Sequence, residues 1–155
     1  MPTHAFRLVN VFAESTLAGN PLAVVEDARG LDDATMQALA LQFNLSETTF
    51  VLPSSTATRR VRIFTPTFEM PFAGHPTVGT AVLLAELRAG GAARDMDSLV
   101  VLEEKIGNVR VGVRLRQSEA AFAEFDAPKL PEAGGAVPDA EILAAAVGLE
   151  PSEIG

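Results

Sequence analysis

The sequence predicts an α+β fold in which a strongly bent, mostly antiparallel sheet wraps around one central helix. The stretch LVVLEEKIGNVRVGVRLRQ alternates apolar and polar residues on both sides of Gly107-Asn108, which is typical of a β-hairpin. Residues 76–89 are apolar nearly all round, which is typical of a helix surrounded by protein. A sheet bent around this helix would bury all of its faces.

The other strands follow from local patterns. Residues 6–11 alternate in polarity, and the strand PLAVVE follows the turn-forming Ala18-Gly19-Asn20, so the chain opens with a hairpin. Two further short strands are predicted in ETTFVLP and RRVRIFTPT. Most of the predicted strand pairs are therefore antiparallel.

Two helices are predicted within this lobe. The first is capped at residues 31–33 and extends to about Phe43, with Met36, Leu39 and Ala40 on its apolar face. The central helix has Pro76 at its first position and stops at Gly90-Gly91.

The amino end of the central helix is the predicted mouth of a ligand site. The N–H groups of residues 77–79 would lack intrahelical partners and would face an anion. Gly74 leaves room for a ligand beside the backbone, and His75 lies at the mouth. On local chemistry alone, His75 is equally well interpreted as a cap, and a glycine that stands alone, as Gly74 does, is more often a turn glycine.

Composition limits the class of protein. The 155 residues are 48% apolar and 21% charged, as expected of one globular core, and they contain no cysteine for disulfides or thiolate metal sites. The net charge of −8 comes without a basic run, so neither nucleic acid nor an anionic membrane is an expected partner. The first residues lack a signal-like pattern and no apolar run reaches about 18 residues, so we expect a cytoplasmic protein.

A second candidate site lies in NLSETTFV, where Ser46 and Glu47 precede a strand. A lone carboxylate at this position is usually a solvated turn residue. If Glu47 instead faces a water-poor cleft, it could take and return a proton near neutral pH as a general acid/base. The local pattern does not choose between these interpretations.

Three motifs together resemble a known family. The stretches GNPLAVV, LSETTFV and RIFTPTFEMPFAGHPTVGTA, in this order and spacing, are similar to the amino-terminal half of the PhzF-like isomerases, named for phenazine biosynthesis. That family resembles diaminopimelate epimerase in architecture, with two pseudo-symmetric lobes, each a barrel-like sheet around a central helix. The resemblance implies that the site lies in the cleft between the lobes.

The resemblance also implies roles for individual residues. Glu47 would be the acid/base that moves a proton on a substrate carbon, and the substrate would be a small carboxylic or amino acid. The predicted substrate-binding residues are Asn20, Ser46, Gly74, His75 and Thr77. Neither a metal nor an organic cofactor is implied.

Two departures limit this transfer. Position 73 is Ala and the chain has no cysteine, which disfavours a racemase that uses two thiols. The family chain is nearly twice as long, and its second lobe supplies an Asp and a glycine-rich helix mouth that face the first lobe. We therefore expect residues 1–126 to form the amino-terminal lobe and residues 127–155 to form a crossover and the beginning of an incomplete second lobe.

An internal comparison supports this division. The segment DAEILAAAVGLEPSEI repeats the pattern of DATMQALALQFNLSET at a constant offset of 104 residues, with Leu143, Val147 and Leu149 matching Leu39, Phe43 and Leu45. Two unrelated amphipathic helices would give a similar pattern. If the repeat is real, an apolar face of the last helix lacks its partner, and we expect a homo-oligomer or a missing second lobe.

Three functions remain open at this stage. The first is a cofactor-independent isomerase lobe whose activity needs a second lobe. The second is a half-protein that binds a small carboxylate without turnover. The third is a hot-dog-type thioesterase, which also wraps a sheet around a helix, although the order of motifs argues against it.

Overall fold

The computed structural model describes residues 3–15, 17–90, 95–117, 119–130, 132 and 134–154. Eight strands and three α-helices follow one another along these residues, with a short 3₁₀ helix at the end. They are β1 (Phe6–Val11), β2 (Asn20–Val25), α1 (Asp33–Phe43), β3 (Thr48–Leu52), β4 (Arg59–Phe64), β5 (Glu69–Met70), α2 (Gly74–Arg88), β6 (Met96–Glu104), β7 (Gly107–Leu115), β8 (Phe122–Phe125), α3 (Ala140–Val147) and the 3₁₀ helix Pro151–Glu153.

The strands form one curled, mostly antiparallel sheet, as predicted. Its order is β1-β2-β3-β4-β6-β7-β8, with β5 paired to β4. The β2–β3 and β4–β6 pairs are parallel and the other described pairs are antiparallel. Helix α2 contacts β1 and β8, which are the two ends of this order, so the sheet bends around the helix.

Close packing fixes α2 within the sheet. Its buried residues include Ala81, Leu83 and Ala85, which pack against apolar side chains of the strands. A Cβ at Gly79 would lie 2.5 Å from Val11 Cγ2 and 2.8 Å from Leu22 Cδ2, so only glycine permits this approach of helix and sheet.

The two hairpins that were predicted are confirmed. In the second, β6 pairs with β7 from Met96↔Leu115 to Glu104↔Gly107. Its turn therefore lies at Lys105-Ile106, and the predicted turn at Gly107-Asn108 is wrong by two residues, because both of these residues belong to β7. Its inward residues Val109, Val111 and Val113 are buried, whereas the intervening arginines are exposed.

Helix α1 follows its predicted cap and face. The Asp32 side chain accepts a hydrogen bond from the Thr35 N–H at 2.8 Å, and Met36 and Ala40 are buried. The helix ends at Asn44, whose φ of 53° lies in the left-handed region.

Helix α2 begins two residues earlier than predicted, at Gly74, with Ala73 as its N-cap residue, and it ends at Arg88. The Thr77 N–H donates to the Ala73 carbonyl at 3.2 Å. The expectation that the amides of residues 77–79 lack intrahelical partners is therefore wrong, because the helix starts two residues further toward the amino terminus. Gly90 follows the helix with a φ of 79°, and Gly91, the second residue of the predicted stop, lies outside the described residues.

The last helix differs from α1 in its surroundings. Helix α3 ends at Gly148 in the left-handed conformation, 104 positions after the matching cap Asn44. Ile142 and Val147 on α3 are 61% and 64% exposed, while Ala144 is buried. The described residues between β8 and α3 contain no strand or helix, and the predicted division near residue 126 stays a prediction.

No helix among the described residues has both the length and the apolar character required to cross a membrane.

Candidate active site

Glu47 and His75 meet at the amino end of α2. Glu47 immediately precedes β3, and His75 is the second residue of α2. The Oε2 atom of Glu47 lies 2.7 Å from Nδ1 of His75. The two side chains are 18% and 9% exposed, so the pair is mostly buried but retains access to solvent.

The second nitrogen of His75 determines how the pair holds its proton. Nε2 lies 3.1 Å from the Asn20 carbonyl oxygen, which can only accept, so Nε2 carries a hydrogen and donates it. The short contact between Nδ1 and Glu47 then requires one hydrogen between them. The pair therefore exists either as carboxylate and imidazolium or as carboxylic acid and neutral imidazole, and it holds one proton that can move within the hydrogen bond.

Asn20 and Ser46 complete a polar cluster around this pair. The Ser46 hydroxyl donates to Asn20 Oδ1 at 3.3 Å, and Asn20 Nδ2 lies 3.5 Å from His75 Nδ1. Strand β2 begins at Asn20 and Ser46 stands just before β3, so the parallel pairing of these strands brings both motifs to one edge. The structure thus brings together the predicted residues Asn20, Ser46, Glu47 and His75; their chemical roles stay predictions.

Apolar groups border the cluster on α2. The Phe12 ring centroid lies 6.4 Å from that of His75, and the Phe12 side chain is exposed. A groove continues from Phe12 along α2, between the ends of the sheet. Its lining includes Val9, Val11, Val78, Val82 and Phe122.

Gly74 lies at the mouth of the helix as predicted, but an aromatic side chain occupies part of the space beside it. A Cβ built on Gly74 would lie 3.4 Å from Cζ of Phe125 in β8. This is an ordinary van der Waals contact, so the predicted approach of a ligand to Gly74 stays a prediction.

Thr77 lies in the buried interior of the first turn of α2 and not at the exposed amino end of the helix. Its side chain is fully buried, and its Oγ1 atom lies 2.7 Å from the Ala73 carbonyl oxygen and 2.8 Å from Oε1 of Glu104. Its predicted contact with substrate stays untested, and the first turn of α2 would have to open for that contact to form.

Glu104 is a buried acid that the sequence interpretation missed. It is 5% exposed, and burial raises the pKa of its carboxyl to about 7, while the hydrogen bond with Thr77 lowers it. The alternation of β6 contained the signal: Val100 and Leu102 face the core, and Glu104 is the next residue on that side of the strand. A charged residue type on the buried face of a strand is an unusual placement.

The cluster offers few groups for a metal. No group of three or more His, Cys, Asp or Glu side chains among the described residues could hold a metal ion.

Comparisons with known proteins agree with the motifs. The model of the PhzC-PhzF family, described as phenazine biosynthesis-like protein, matches residues 9–153. An uncharacterized isomerase of Mesorhizobium japonicum is 54% identical over the whole chain, which covers 50% of that relative. The trans-2,3-dihydro-3-hydroxyanthranilate isomerase of Pseudomonas aeruginosa is 40% identical over 81% of the chain and 43% of its own length.

Solved structures show the same architecture. A protein described as a predicted epimerase of Pseudomonas aeruginosa is 34% identical with a TM-score of 0.80, over 99% of this chain and 53% of that one. A hydroxyproline epimerase of Agrobacterium vitis, 16% identical with a TM-score of 0.50 over 72% of this chain and 38% of its own, resembles it in fold alone. The chain spans about half the length of the curated relatives it matches.

The α+β lobe predicted from the sequence is thereby confirmed, and the match over residues 9–153 shows that this chain belongs to the PhzC-PhzF family of phenazine biosynthesis-like proteins.

Proposed function

We propose that this chain is the proton-transferring lobe of a cofactor-independent isomerase that acts on a small carboxylic or amino acid. The observation that carries the proposal is the Glu47–His75 pair, whose Oε2 and Nδ1 atoms lie 2.7 Å apart in a mostly buried position at the end of a helix. Two of the relatives are named as isomerases, which agrees with this chemistry. The proposed role of Glu47 is to take a proton from one substrate carbon and return it to another position.

His75 supports this transfer in two ways. The contact with Glu47 stabilises either charge state of the carboxyl, because the shared proton can lie on either partner. The bond from Nε2 to the Asn20 carbonyl fixes the orientation of the ring. The first intrahelical donor of α2 is the Thr77 N–H, and the N–H groups of Gly74 and His75 precede it. We therefore propose that these two N–H groups bind the carboxylate of the substrate.

A second lobe completes the proposed site. The mouth of α2 is bordered by the exposed Phe12, and α3 exposes Ile142 and Val147 at the end of the chain. A second lobe, on this gene product or on another chain, would cover such surfaces and supply the facing wall. Light scattering at several concentrations tests self-association, since a constant mass of 16.3 kDa would contradict a homo-oligomer.

Deuterium incorporation from solvent tests the proposed reaction. The chain is assayed alone and together with the carboxyl-terminal half of the Mesorhizobium relative, with trans-2,3-dihydro-3-hydroxyanthranilate and other small acids as candidate substrates. The proposal expects deuterium at a substrate carbon when both halves are present, and no incorporation after Glu47→Gln. Binding without incorporation would favour a carboxylate-binding half-protein, and hydrolysis of an acyl-CoA would favour a thioesterase.

A further inference from the structure

Glu104 lies at the end of β6, beneath the first turn of α2, and the proposed proton transfer does not use it. Its Oε1 atom lies 2.8 Å from Oγ1 of Thr77. Its Oε2 atom is buried and has no hydrogen-bond partner among the described residues. A carboxylate at such a position would lack most of the hydrogen bonds that it accepts in water.

The number of hydrogens available to the Thr77 hydroxyl and its two neighbours indicates the protonation state of Glu104. The Thr77 hydroxyl has one hydrogen but makes two short contacts, to the Ala73 carbonyl at 2.7 Å and to Glu104 at 2.8 Å. If Glu104 were ionised, one of these contacts would join two oxygens with no hydrogen between them. If Glu104 is protonated, it donates to Thr77 and Thr77 donates to Ala73, so each contact has one hydrogen.

The charged groups near Glu104 leave it without a neutralising partner. One cavity is lined by Glu104 together with Asp33, Arg60, Arg62, Glu69, Glu103 and Lys105. Arg62 is bound to Asp33 and Glu69, and Lys105 lies 3.7 Å from Glu69. His75, two residues before Thr77 in α2, is paired with Glu47. None of these groups forms an ion pair with Glu104 within the described part of the chain, and its raised pKa, with burial as the main cause, agrees with a retained proton.

We propose that Glu104 is held as a neutral carboxylic acid that, through Thr77, fixes the Ala73–Gly74 peptide at the mouth of α2. The Ala73 carbonyl and the Gly74 N–H belong to the same planar peptide and point in opposite directions. A hydrogen bond that holds the Ala73 carbonyl toward Thr77 therefore turns the Gly74 N–H toward the mouth. Glu104 is thus a positioning residue for the site; this role rests on the proposed function, whereas its protonation does not.

Carboxyl ¹³C NMR of the whole chain tests the protonation state without turnover. The Glu104 signal, assigned by its loss in Glu104→Gln, is expected to titrate with a midpoint at about 7. A midpoint at the ordinary glutamic acid value of 4.5 would overturn the proposal. Because no substrate is needed, this result is independent of the deuterium assay.

Two variants test the positioning role. In Glu104→Gln the amide can donate to Thr77, so the Gly74 amide and His75 ring signals should stay at their wild-type positions at pH values where Glu104 is neutral. In Glu104→Met the donor is lost at similar length, so both signals should shift. Equal shifts of these signals in both variants, or no shift in Glu104→Met, would overturn the positioning role of Glu104. If Glu104→Met does not fold, a shift of these signals in Glu104→Gln is enough to overturn that role.

Discussion

Two carboxyl groups lie on opposite sides of the first turn of α2, and they handle their protons differently. Glu47 is partly exposed and shares a proton with an imidazole, whereas Glu104 is 5% exposed and contacts one hydroxyl. The imidazole gives the first proton two alternative positions, and a nearby surface gives it a route to solvent. The second proton has neither. The comparison teaches that the neighbours and exposure of a carboxyl group, rather than its residue type, determine whether it can exchange a proton with a ligand.

The largest expected effect is the loss of proton transfer in Glu47→Gln. Glutamine keeps the size of the side chain but cannot share a proton with His75, so deuterium incorporation by the assembled site should fall by about 10²-fold or more. The same substitution at the exposed Glu141 of α3 is the matched control and should leave incorporation unchanged. Unaltered incorporation in Glu47→Gln would contradict the assigned role.

The second prediction is a pH dependence of stability that belongs to Glu104. The unfolded chain ionises this group near 4.5, whereas the folded chain keeps its proton up to about 7. The folded pKa is raised, so the stability contributed by the neutral acid is fully present below pH 4.5 and is lost as the pH rises to about 7.

The Glu104→Gln variant lacks this titration. Relative to wild type, its free energy of unfolding should therefore improve by about 3 kcal/mol between about pH 4.5 and about pH 8. Urea unfolding of both proteins at the two pH values measures the difference. Parallel pH profiles for the two proteins would show that Glu104 titrates normally.

The third prediction is that the two histidines differ in their effect on proton transfer. In His75→Asn the shorter side chain cannot span from Glu47 to the Asn20 carbonyl, so deuterium incorporation should fall about tenfold or more. His4→Asn is the matched control, because His4 bonds the Asp27 carbonyl and belongs to another part of the lobe. Equal rates for both variants would remove His75 from the mechanism.

The smallest expected effect concerns two buried threonines. Thr77→Val removes a hydroxyl that contacts two groups, and it should lower the free energy of unfolding by about 1 kcal/mol or more. Thr48→Val removes a buried hydroxyl that has no hydrogen-bond partner among the described residues, so it should be neutral or stabilising. Similar losses of stability in thermal unfolding would contradict the contact assigned to Thr77.

The strand alternation and the helix caps explain how much of the fold was predictable. The β6–β7 hairpin and the Asp32 cap depend on local sequence, and both were predicted, although the hairpin turn lies at Lys105-Ile106, two residues before its predicted place. The start of α2 was misplaced by two residues, because Pro76 is a favourable first helical residue and the preceding Gly74 and His75 are not distinctive helix formers.

The site was predictable only where motifs identified it. Asn20, Glu47 and His75 lie far apart in the sequence, and the motif resemblance, rather than periodicity, selected them for a common site. Glu104 and Phe125 lie outside those motifs and approach α2 only through the curvature of the sheet. Helices α1 and α3 have similar patterns and end with matching caps, yet Val147 of α3 is exposed whereas the matching Phe43 of α1 is half-buried, because burial depends on the surrounding sheet rather than on the helix itself.

The claim that Glu47 and His75 share one proton is tested most directly by ¹⁵N NMR of the histidine rings. The chain has two histidines, so the His75→Asn variant assigns the signals. We expect Nε2 of His75 to carry a hydrogen, which it donates to the Asn20 carbonyl oxygen. The Nδ1 signal of His75 reports the proton shared with Glu47. We expect this signal to move toward that of an unprotonated nitrogen in Glu47→Gln. A hydrogen on Nδ1 with a bare Nε2, or an Nδ1 signal that does not respond to Glu47→Gln, would contradict the claim.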